Sequence, residues 1–127
     1  MIFLADRTIA SPATLVAIGD IHRCWREVDS AYLERTRPDL ALFVGDLGDE
    51  LREHDAEGDK VEETVERIAG IEVPKAVILG NHDAWRSFGE KQLSDALNSS
   101  LDALGSDHVA YDVREVPSAG VSVVGAR

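Results

Sequence analysis

The chain has 127 residues, 44% of them hydrophobic and 29% charged, a balance that suits one soluble globular domain with a real core. Its net charge of −11 argues against a nucleic-acid-binding surface, which needs clustered Lys and Arg to replace counterions, and disfavours anionic membranes. The single cysteine, Cys24, permits no internal disulfide, and no apolar run approaches the roughly 20 residues that span a bilayer. These features imply a cytoplasmic protein with no membrane and no nucleic-acid partner.

At the N-terminus, Ile2-Phe3-Leu4 reads as a short edge strand and Ser11-Pro12 as a turn. Asp6 and Arg7 cut the apolar start far short of a signal sequence. The first firm strand is Thr14 to Ile18. A helix is predicted from Trp25 to about Arg35, with Trp25, Val28, Ala31 and Tyr32 on one face and Pro38 as its stop. The second strand, Leu40 to Val44, then runs parallel to the first through a strand-helix-strand crossover.

Glu50 to Lys60 is strongly polar and reads as an exposed loop leading into a helix over Val61 to Ile68. Val61, Val65 and Ile68 share a face of that helix, and Gly70 suits its C-cap. The third strand is Lys75 to Leu79, a continuous apolar run over 76–79 of the kind buried on both faces. Trp85 to Glu90 reads as a loop. Gln92 to Leu104 carries Leu93, Leu97, Leu101 and Leu104 at helical spacing, ended by Gly105. Val109 to Val116 and Val121 to Val124 read as a closing hairpin. The expected fold class is α/β, a mainly parallel sheet of strand-helix-strand units with a C-terminal hairpin.

Each of the three strands runs into Gly and then Asp or Asn: Gly19-Asp20-Ile21-His22, Gly45-Asp46-Leu47-Gly48-Asp49 and Gly80-Asn81-His82-Asp83. In a parallel sheet these segments meet outside the carboxyl ends of the strands, where α/β proteins gather their ligands. Asp20 and His22 lie two residues apart and, in extended backbone, point to one side. One carboxylate and one imidazole there can share a cation, Asp46 can bridge to a second, and Asn81 can offer that second ion its amide oxygen. Such a mixed O/N set suits Mn, Fe, Zn or Mg. Two cations roughly 3.5–4 Å apart can grip a phosphoryl oxygen and activate water. His82 is placed to protonate a leaving alkoxide, Asp83 to set the tautomer of His82, and Asp49 to support the first metal site from behind.

Taken together, these segments resemble the motifs of the calcineurin-like metallophosphoesterase superfamily: D-x-H, then G-D-x-x-D, then G-N-H-D/E, in this order. The resemblance implies that Asp20 and His22 bind the first metal, Asp46 bridges, Asn81 binds the second, and His82 assists catalysis. It implies a dinuclear divalent-metal cofactor, a small phosphorylated substrate and an αββα sandwich of which the parallel sheet forms part. The family pattern continues downstream with a further His and a G-H-x-H motif. Here the histidines are His22, His54, His82 and His108, and none lies in such a motif.

The chain therefore reads as a single domain over residues 1–127, the N-terminal portion of a metallophosphoesterase domain. A second chain or a C-terminal portion would cover one apolar face of its sheet; otherwise that face is an exposed patch. The function expected is metal-dependent hydrolysis of phosphomonoesters or phosphodiesters. The alternative is a catalytically incompetent metal-binding or interaction module on the same scaffold. His54 reads as a solvated side chain, His108 as a loop residue and Cys24 as a small packed one. Neither G-x-G-x-x-G nor G-x-x-x-x-G-K-[ST] occurs, which sets a nucleotide-binding loop aside.

Overall fold

The three apolar runs become the strands of one parallel sheet, β1 (Leu15–Ile18), β2 (Leu40–Val44) and β3 (Lys75–Ile78), in the order β1-β2-β3. The computed structural model describes residues 12–22, 24–48, 61–84, 91–117 and 120–126. The expected strand over 2–4, the turn at 11–12, the polar stretch 50–60 and the loop 85–90 lie outside them or at their edge, as do Asp49 and His54. Leu15 pairs with Leu40 and Ile18 with Phe43; Ala41 pairs with Lys75 and Val44 with Ile78. All three strands thus end at one edge, just where the polar segments begin.

Helices α1 (Glu27–Thr36) and α2 (Val61–Ala69) are the two crossovers, and α4 (Lys91–Leu104) packs beside α2. They cover one face of the sheet, where Ala41, Phe43 and Val77 meet Leu33, Val65, Ile68 and Leu104 in a single core. Val61, Val65 and Ile68 face inward as their spacing predicts, with Leu97 and Leu101 packed against the same core.

The face expected for α1 is corrected by the structure. Trp25 precedes the helix, and Val28 and Tyr32 stand 62% and 57% exposed, while Leu33 alone of its residues is buried. Trp25 is nonetheless buried: its ring meets Phe43 edge to face at 5.4 Å and its indole N–H donates to Ser30 Oγ at 2.9 Å. The helix begins after Arg26, whose N–H is taken by the Asp29 carboxylate at 2.9 Å. It ends at Arg37, left-handed at φ 45°, directly before Pro38.

On the opposite face, the hairpin of β4 (Val113–Val116) and β5 (Val121–Val124) packs Val116, Val121 and Val123 against Leu40, Leu42, Ala76 and Ile78. Of the strand expected over 109–116, only 113–116 pairs in the hairpin. Val109 instead donates its N–H to Val77 O at 3.0 Å, and His108 bridges to Val77 along the edge of β3 away from β2. Helix layer, parallel sheet and hairpin layer together are consistent with the metallophosphoesterase fold. Leu15 and Val44, on the hairpin side of the sheet, and Val113 and Val124 of the hairpin remain exposed.

A charged group fastens the hairpin end to the sheet. Lys75, 5% exposed, donates to Ile71 O at 2.8 Å and pairs with Asp107 at 3.2 Å, and Asp107 also holds Arg114 at 2.7 Å. Removing the shared carboxylate strands a buried ammonium. Asp107→Ala is expected to lower stability by about 2 kcal/mol, less than for a fully buried pair because Asp107 keeps some water. The check is the urea midpoint, and an unchanged midpoint would deny the group any part in holding the fold.

Candidate metal centre

The loops behind β1 and β2 are stitched together by their backbones. Asp20 N–H donates to Gly45 O at 3.1 Å, and the N–H groups of Ile21 and His22 both donate to Asp46 O, at 2.9 and 3.0 Å. In each loop the apolar residue between the polar ones is an anchor. Ile21, flanked by Asp20 and His22, and Leu47, directly after Asp46, are buried in the helix-side core. Core packing of Ile21 and Leu47 thus fixes the polar neighbours at the rim, a role the motif spacing did not assign to them. The signal for it was a single aliphatic side chain inside an otherwise polar segment.

Asp20, His22 and Asp46 come together, each offering a ligand atom within 4.8 Å of the others. The way they do so differs from expectation. The backbone is not extended here: Asp20, His22 and Asp46 all have positive φ, at 58°, 43° and 53°. Asp and His are among the few side chains that enter this left-handed region with tolerable strain. Strain held by the surrounding bonds is a recurrent property of functional sites. His22 Nε2 lies 2.7 Å from Asp20 Oδ1, and its ring meets that of His82 edge to face at 5.1 Å.

The third loop closes on Asp46. Gly45, at φ 92°, lies so near Gly80 that a Cβ on it would fall 2.8 Å from Gly80 Cα, and a Cβ on Gly80 would overlap Asp46 Oδ1 and its backbone N. Only hydrogen fits at either place. Asn81, His82 and Asp83 form the short helix α3 (Asn81–Ala84), and His82 N–H donates to Asp46 Oδ1 at 3.1 Å. Asn81 is exposed at the start of α3, between the glycine that touches Asp46 and the histidine that bonds it.

Asp83 serves the backbone at this rim. Its carboxylate accepts the N–H of Gly48 at 2.7 Å and that of Gly80 at 2.7 Å, so it fastens two loops to each other. His108 is held on the edge of β3 and is not one of the three converging groups. Cys24, read as a packed side chain, is exposed, with its thiol 3.7 Å from His22 O.

Two carboxylates and an imidazole in one place fit a divalent cation of the hard-to-borderline kind. The model of the calcineurin-like phosphoesterase family matches residues 13–120, a span that contains all three loops. The chain belongs to this family, whose members hydrolyse phosphoesters with divalent metals. Comparison with curated proteins and with solved structures gave no match. Among the described residues, no helix is long and apolar enough to cross a membrane.

Proposed function

We propose that the protein is a metal-dependent phosphohydrolase, a phosphomonoesterase or phosphodiesterase, built around a dinuclear site for Mn, Fe, Zn or Mg. The observation that carries the reading is the convergence of Asp20, His22 and Asp46 within 4.8 Å. Asp20 and His22 would hold one ion, Asp46 would bridge, and Asn81 would hold the other. When bound, such cations neutralise phosphoryl oxygens and lower the pKa of water.

The remaining contributions come from the chain itself. On their own, the carboxylates of Asp20 and Asp46 repel a phosphate, as does a net charge of −11, so a small phosphorylated substrate approaches only when that field is inverted. His82, half-buried and edge-on to His22, would carry a proton to the departing alkoxide oxygen. Asp83 keeps the loop that bears His82 in register with the loop that bears Asp46. The lone Cys24 suits the reducing cytoplasm.

Chelation by EDTA is expected to abolish hydrolysis of p-nitrophenyl phosphate and its bis ester, and added Mn²⁺ to restore it. Turnover that survives exhaustive chelation would remove the proposal. A second reading, a metal-binding or interaction module, is favoured by the three-membered ligand group among the described residues. Metal uptake with no hydrolysis of either ester, at any Mn²⁺ concentration, would select it.

A further inference from the structure

Asp83 is a buried acid that the chemistry above uses only to keep two loops in register. It is 9% exposed, and its bonds go to two backbone amides on different loops, Gly48 and Gly80, both at 2.7 Å. A carboxylate accepting N–H groups makes charge-assisted bonds, stronger than neutral ones. Gly48 lies two residues beyond Asp46, and Gly80 presses on the Asp46 carboxylate from the other side. The next amide but one, His82 N–H, bonds Asp46 Oδ1. Asp46 therefore sits inside a bracket whose two arms are tied together by Asp83.

We propose that Asp83 is a positioning residue for cation binding: by joining Gly48 to Gly80 it holds the Asp46 carboxylate at the distance from Asp20 and His22 that one ion can span. This rests on the metal reading of those three residues. Asp83 takes no part in binding the ion or the substrate; it acts through Asp46. A side chain with only one acceptor cannot serve both amides. In Asp83→Asn the new NH₂ group faces an N–H donor, and one arm is released.

The test is calorimetric titration of the full chain with Mn²⁺, comparing wild type, Asp83→Asn and, as a control for lost stability, Asp107→Ala at the opposite end of β3. Asp83→Asn is expected to bind Mn²⁺ at least about tenfold more weakly, as is usual when a ligand's supporting partner is lost. Asp107→Ala is expected to keep its affinity within about twofold, since its damage is remote from the ligands. Wild-type affinity in Asp83→Asn overturns the positioning role alone. A wild type that takes up no Mn²⁺ overturns the metal reading and this inference with it. Should Asp83→Asn not fold, hydrogen exchange on wild type decides. Zn²⁺ is then expected to slow exchange at Gly48 and Gly80 more than at the strand amides, and equal slowing overturns the role.

Discussion

Asp46→Asn is expected to leave the fold standing and to lower Mn²⁺-dependent hydrolysis of p-nitrophenyl phosphate at least about a hundredfold, the scale of losing one dedicated electrostatic partner. Asp46 is the hub of the site. Its backbone oxygen takes the N–H groups of Ile21 and His22, and its side chain takes that of His82. Asn keeps nearly the same shape, can still accept from His82, and tolerates the positive φ of 53°. What it removes is the negative charge, and with it the bridge that Asp46 would form between two cations in the proposed site. The thermal midpoint of the chelated protein should therefore move little while turnover collapses. Equal turnover in both proteins would withdraw Asp46 from catalysis.

Gly80→Ala reaches the same site through sterics. The added methyl overlaps the Asp46 carboxylate and its backbone nitrogen, neither of which can step aside, because Asp46 is tied to Ile21, His22 and His82. The two loops have to part. Overpacking of this kind costs about 3 kcal/mol, which for a chain of this size lowers the thermal midpoint by roughly 10 °C. Mn²⁺ affinity should fall as well, since the parted loop carries Asp46 away from Asp20 and His22. A variant that melts like wild type and binds Mn²⁺ equally well would mean that the loops do not need this contact.

The strands were readable from residue order because each is an uninterrupted apolar run followed by Gly and a polar residue. That pattern leaves a buried parallel strand few alternatives. Their shared edge followed from parallel crossovers, and with it the meeting of Asp20, His22 and Asp46. Helix α1 was readable in extent but not in facing. Val28 and Tyr32 are four apart and mimic an inward stripe, whereas Leu33 makes the contact and Trp25 reaches the core from outside the helix. A short helix with one buried residue carries too weak a period to orient it.

The left-handed backbone at Asp20, His22 and Asp46 was equally hidden, since these residue types occur in extended segments as readily. The bond from Gly80 N–H, three residues back, is local, but nothing near Asp83 announced that its carboxylate would also take the N–H of Gly48, 35 residues away. Such a bond depends on the tertiary arrangement, which periodicity does not encode. Sheet and site location were therefore legible, and loop conformation was not.

The positive φ angles at three neighbouring positions narrow what can be grafted there. A designer who wishes to retune ion preference at this rim does best with Asp, Asn, His and Gly, the residue types most at ease in that backbone region, although Arg37 also adopts it at the end of α1. Glu, the obvious way to lengthen a ligand arm, thus meets a conformational toll before any coordination begins. Changes in selectivity are better sought at Asn81, which stands on ordinary helical backbone.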